Sequence, residues 1–121
     1  MAIPKIHPSE FEFCKILWEN EPINSTELVK LCHEKLEWKK STTYTVIRKL
    51  IDRGVINSEN TIVTSRVSKE EALAARSMDI VDESFSGSLP AFVATFTSGR
   101  ALSKEELDEL QKILDAERKK R

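Results

Sequence analysis

Cysteine is scarce in this chain, with Cys14 and Cys32 the only two among 121 residues. They lie far apart, each within an apolar helical pattern, and read as buried thiols rather than a disulfide or a metal pair. No apolar stretch approaches the roughly 18 residues a membrane-spanning helix needs, so membrane insertion is not expected. The opening MAIPKIHPSEFEF lacks the charged-then-apolar layout of a secretory signal, and a cytoplasmic protein is expected. Glycine is nearly as rare, with three in all, and no glycine-rich phosphate loop occurs. No serine or cysteine nucleophile motif is present either, so the reading is not an enzyme. His7 and His33 have no third or fourth ligand at zinc spacing, and neither a metal nor a cofactor is expected. Glu105, Glu106, Asp108 and Glu109 fall in the first turns of one helix and read as solvated acids favoured by its dipole, not as an acid/base pair.

An excess of positive charge is missing too. The net charge is −1, which by itself does not suggest nucleic acid. The distribution is more informative. Residues 39–53 hold five Lys or Arg against one acid, Asp52. This cluster falls within Trp38–Ile56, which reads as a short amphipathic helix with Ser41 at its N-cap and Gly54 as its stop. Thr43, Val46, Ile47, Leu50 and Ile51 fall on one side. Ser41, Thr42, Thr45, Arg48 and Lys49 fall on the other, with Tyr44 at the border. Hydroxyls permit close approach and cations meet phosphates or guanine edges, so this face suits the DNA major groove. Lys39, Lys40 and Lys49 are the phosphate candidates, while Thr42, Thr45 and Arg48 are the candidates for sequence choice; Arg53 counts among the cations of this surface.

Polar caps divide the rest of the chain. Pro8-Ser9-Glu10-Phe11-Glu12 opens a first helix to about Asn20, burying Phe11, Cys14, Leu17 and Trp18. Asn24-Ser25-Thr26-Glu27 opens a second, with Leu28, Val29, Leu31, Cys32 and Leu36 apolar. Two short helices before the basic one give the helix-turn-helix order. Val55–Ser58 and Thr61–Val67 are rich in β-branched residues and read as two strands joined by a Glu59-Asn60 turn, the wing of a winged helix. Its tip, Ser58-Glu59-Asn60, has no cation and is expected to add little to phosphate binding. Trp38 reads as a packing residue.

Ser68-Lys69-Glu70-Glu71 starts a helix to about Phe85, Ser86-Gly87-Ser88 breaks it, and Leu89–Phe96 forms a short apolar helix with Pro90 in its first turn. Ser103-Lys104-Glu105-Glu106 caps a last helix with Leu107, Leu110, Ile113 and Leu114 on one stripe. Phe85, Leu89, Phe92, Val93, Phe96, Leu107, Leu110 and Leu114 are too many apolar side chains for three thin helices to cover. A second copy is the simplest cover, in preference to an effector pocket. The fold class expected is mainly α: a winged helix-turn-helix domain over residues 1–68 with a short two-stranded wing, plus a helical dimerisation arm over 69–121.

Five fragments in this order resemble the penicillinase repressor family of bacterial repressors. They are Ser9–Trp18, Asn24–Leu28, Thr42–Leu50 with Gly54-Val55-Ile56, Phe85–Val93, and Leu102–Leu107. The resemblance implies a homodimer on a palindromic double-stranded operator, with base- and phosphate-contacting positions at Ser41, Thr42, Tyr44, Thr45, Arg48 and Lys49. Some members carry a cation where this chain has Tyr44, so its operator need not match theirs. Copper-responsive members carry paired C-terminal cysteine motifs, and this chain has no cysteine after Cys32. β-Lactam-responsive members are cut before a phenylalanine in the dimerisation region by a sensor-linked membrane protease. The matching bond here is Thr95-Phe96, where those members have asparagine before the phenylalanine. The competing reading is a winged-helix protein-interaction module without DNA contact, supported by the acidic balance and the cation-free wing tip.

Overall fold

The computed structural model describes residues 2–121. Its elements run α1 (Pro8–Asn20), β1 (Ile23–Asn24), α2 (Ser25–Leu36), α3 (Lys40–Asp52), β2 (Ile56–Glu59), β3 (Ile62–Ser65), α4 (Lys69–Phe85), α5 (Leu89–Gly99) and α6 (Lys104–Lys119). Two compact units result, one ending at Ser77 and the other covering Met78–Arg121, so α4 contributes to both.

The first unit is a three-helix core closed by a small sheet. Apolar spacing along α1 places Phe11, Phe13, Cys14, Ile16 and Leu17 inside. They meet Leu28 and Cys32 of α2, Ile47 and Leu50 of α3, and Val55, Ile56, Val63 and Val67 around the sheet. Asn24 caps α2 by accepting the Thr26 N–H at 2.8 Å. Phe13 is fully buried and stacks on Trp38 with ring centroids 6.2 Å apart. Trp18 is partly buried and donates its indole N–H to the Val67 carbonyl at 3.0 Å. Ala72 of α4 is buried in the same core, and Arg76 lies 4.6 Å over the Phe11 ring.

The sheet has three strands in the order β1-β3-β2, all antiparallel, where the sequence suggested two. The extra strand, Ile23-Asn24, is too short to leave an alternating pattern. The turn also shifts by one residue. Glu59 pairs with Ile62, leaving Asn60-Thr61 as the two-residue loop, with φ of 52° and 65°. Positive φ at both central positions is the type I′ hairpin geometry, which asparagine tolerates and a long glutamate does not favour. Thr61 is held there from outside the hairpin. Its carbonyl accepts the Ser25 N–H at 2.8 Å and its hydroxyl accepts Asn24 Nδ2 at 3.1 Å. At the far end of β3, the Glu21 carboxylate accepts both the N–H and the hydroxyl of Ser65, at 2.7 to 2.9 Å.

In the second unit, α4 ends where Ser86 and Gly87 take φ of 50° and 80°, and the Gly87 N–H closes back on the Val81 carbonyl at 3.0 Å. This left-handed exit ends a helix that a residue with a side chain at Gly87 would strain. Ser88 caps α5, with Pro90 in its first turn, and Ser103 and Glu106 form a full capping box on α6. Phe85 and Phe92 meet edge to face at 5.4 Å, and Arg100 lies 4.8 Å over Phe96 while gripping Glu106 with two 3.1 Å bonds. The Arg100 hydrogen bond and the Ser103 N–H bring the Glu106 carboxyl down to about 2. Among the described residues, no side chain of α5 or α6 is buried.

Candidate nucleic-acid interface

α3 is the helix that carries the basic cluster, and its inner face is short and apolar. Thr43, Ile47 and Leu50 recur at helical spacing and are buried. That periodicity sets which residues point outward. Lys39, Lys40, Ser41, Thr42, Arg48 and Lys49 are exposed, while Tyr44 and Thr45 are half-buried at the margins. The eight predicted interface residues therefore lie together on the outer side and start of one helix. Among the described residues, no acid lies within ion-pair distance of Lys39, Lys40, Arg48 or Lys49.

Local bonds order the middle of this face. The Thr45 hydroxyl donates to the Ser41 carbonyl at 2.9 Å and accepts Arg48 Nη2 at 3.4 Å. Lys40 Nζ lies 6.0 Å from the Tyr44 ring centre, and Tyr44 itself packs against the core. A cation, a hydroxyl and an aromatic edge are thus arrayed along two turns.

Three expectations change. Ser41 is not the N-cap: Lys39 holds the extended cap conformation, its carbonyl accepts the Thr43 N–H at 3.1 Å, and no side chain caps α3. The Trp38–Phe13 stack anchors the chain just before Lys39, and that packing outweighs the ~1 kcal/mol a serine cap offers. Ile51 is 37% exposed rather than part of the core. Arg53 does not share the outer face with Arg48 and Lys49. It turns back to the N-terminal segment and pairs with Glu10, a buried carboxylate that the sequence marked only as a helix start. Its position three, four and seven residues before the buried Phe13, Cys14 and Leu17 was the available signal, since an acid on that inner face requires a partner.

Burial alone would push the Glu10 carboxyl up. The Arg53 hydrogen bond, the His7 N–H and the Arg53 charge outweigh it, so the carboxyl stays below its ordinary range. A carboxyl depressed in the folded state stabilises the fold above its unfolded value, near pH ~4, and loses that contribution as pH falls through the folded value. Glu10→Gln is therefore expected to flatten the acid limb of stability against pH, measured by urea unfolding between pH 2 and 6 (about the range over which carboxyls titrate). Burial, reinforced by the Glu10 charge, lifts the Cys14 thiol to about 12, and burial lifts Cys32 to about 11. Both stay protonated and unreactive at neutral pH. His33 Nδ1 lies 3.3 Å from the Trp38 carbonyl, so its ring supports the α2–α3 turn.

Comparison with known proteins gives a consistent picture. The family profile described as Penicillinase repressor matches residues 6–116. The penicillinase repressor of Bacillus licheniformis is 27% identical over 117 residues, covering 93% of this chain and 91% of that protein. The methicillin resistance regulatory protein MecI of Staphylococcus aureus (strain Mu50 / ATCC 700699) is 24% identical over 115 residues, covering 92% and 94%. Among solved structures, the Bacillus licheniformis BlaI monomeric form in complex with the blaP half-operator aligns with a TM-score of 0.51 and 27% identity. That alignment covers 58% of this chain and 90% of the other.

Proposed function

From its membership of the penicillinase repressor family, we infer that this chain is a transcriptional repressor that lays α3 in the major groove of operator DNA. The observation that carries the reading is the outer face of α3, where four cations without acidic partners surround a hydroxyl run. Phosphate contacts supply affinity that is steep in salt. Lys39, Lys40 and Lys49 fit that role, with long arms and single point charges. Arg48, Thr45 and Thr42 are placed for base edges, Arg48 having the planar fork that guanine accepts. Ser41 and Tyr44 complete the contact set, Tyr44 bonding a phosphate or packing on a thymine methyl. The wing tip, the Asn60-Thr61 loop after Glu59, carries no cation and is not assigned a phosphate.

Residues 69–121 are the dimerisation arm in this reading. Leu89, Val93, Phe96, Leu107, Leu110, Ile113 and Leu114 are each at least 40% exposed in the single chain. Val93, Phe96, Leu110 and Ile113 line one groove, and exposed apolar surface of this extent favours a second copy. The self-complementary pair then reads a palindromic operator, one α3 in each half-site. Phe85 and Phe92, packed on each other edge to face, belong to the same apolar set, with Phe92 also stacked on Phe96. Release by a membrane sensor-protease acts at Thr95-Phe96. That bond lies inside α5, with the Thr95 carbonyl accepting the Ser98 hydroxyl at 2.6 Å. Cleavage therefore follows local unwinding of α5, and its rate tracks the unwound population.

A gel-shift series in increasing salt tests the DNA assignment. Affinity is expected to fall steeply with salt, and Lys49→Ala to reduce the log–log slope by about 1.8, the loss of one phosphate contact in each half-site. Salt-independent binding, or no binding at low salt to the promoter upstream of its own gene, would overturn it.

A further inference from the structure

Arg53 stands one residue beyond α3, its N–H bonded to the Lys49 carbonyl at 3.1 Å. Its guanidinium leaves the outer face. Nη1 donates to the Lys5 carbonyl at 2.8 Å and Nη2 donates to Glu10 Oε2. Glu10 lies in the first turn of α1, only 5% exposed, and its other oxygen accepts the His7 N–H at 2.9 Å. One guanidinium thus ties the end of α3 to two points in the N-terminal segment, 43 and 48 residues away in sequence. A partly buried ion pair of this kind is a weak source of net stability, because desolvation offsets much of the attraction. Its planar, two-pronged geometry nevertheless fixes direction.

Thr43, Ile47 and Leu50 are the buried residues of α3, with Tyr44 and Val46 packed at their margins. These contacts set how deep the helix sits, and the guanidinium adds a tie from its C-terminal end to the N-terminal segment. Reading base edges needs placement to within about 0.5 Å and 10–20°, whereas long lysines reach phosphates over a wider range. We propose that Glu10 and Arg53 are a positioning pair that sets the angle of α3, so that Thr45 and Arg48 reach base edges, without either member touching DNA. The inference rests on the DNA-reading assignment above.

Charge makes the test a matter of sign. Glu10→Gln removes a negative charge from the unit that meets DNA, so electrostatics alone strengthens binding to any duplex. Positioning weakens binding to the preferred sequence alone. Duplexes are first selected from a random pool by the full-length wild-type protein. Affinities for a selected duplex and a shuffled one of equal composition are then measured in a salt series for wild type, Glu10→Gln, Arg53→Ala and Arg53→Lys. Glu10→Gln and Arg53→Ala are expected to lose about 10-fold or more on the selected duplex, the scale of one misplaced base contact. On the shuffled duplex affinity should shift only as the charge change dictates, slightly up for Glu10→Gln and slightly down for Arg53→Ala, and Arg53→Lys should recover part of the discrimination. Equal loss on both duplexes, whether from a lost phosphate contact or from unfolding, overturns the positioning role. So does a Glu10→Gln variant that binds both more tightly. A wild-type protein that enriches no sequence instead overturns the DNA-reading assignment itself.

Discussion

Placing aspartate at Leu107 and Leu114 is expected to yield a folded monomer whose operator affinity drops by roughly 10²–10⁴-fold, the advantage that linking two half-sites provides. Both leucines are 53% exposed in the single chain, so a carboxylate at either position stays hydrated and the chain's own fold loses little. A dimer formed on the α6 stripe would instead have to bury two charges per protomer, at several kcal/mol each unless paired. Sedimentation at micromolar concentration and a gel shift on whole and half operators check this together. Half-site affinity should persist while the gain from the second half-site disappears. Wild-type sedimentation with unchanged binding would place the dimer contact elsewhere.

Phe13→Ala is expected to cost about 3–5 kcal/mol, as large-to-small changes in a packed core do. That is a large part of the ~5–15 kcal/mol that holds a typical domain. Phe13 has no exposed surface, and its ring covers Trp38, the residue that anchors the chain one step before α3. The cavity therefore opens beside the start of α3, and DNA affinity should fall along with stability. Urea unfolding reads the first effect and gel shift the second. Phe13→Leu, which refills most of the volume, should lose less in both. A Phe13→Ala variant as stable as wild type would mean that α1 and α3 do not share one core.

Most of the helical framework was legible because its signals are local. The Asn24, Ser68 and Ser103 caps, the Ser86-Gly87-Ser88 break, Gly54 and Pro90 each act within a turn of themselves, and all mark element ends in the structure. The outer face of α3 was legible too, since a 3.6-residue period needs no tertiary information. The start of α3 was not. Ser41 is a better cap than Lys39 by propensity, but the Trp38 stack decides where the chain turns. In the same way, Asn60-Thr61 became the hairpin turn through bonds from Asn24 and Ser25, residues thirty-odd positions earlier.

Periodicity, capping and charge placement thus determine by themselves that this chain makes a helix with one cationic, hydroxyl-lined face, and that its last third carries more apolar surface than it covers. Tertiary structure decided which cations that face keeps. Five appear in the sequence between Lys39 and Arg53, and the fold withdraws Arg53 to Glu10 and the Lys5 carbonyl. No local rule reveals that pairing. It exists because burying Glu10 creates a demand for a positive partner, and only the tertiary fold brings Arg53, 43 residues away in sequence, within reach.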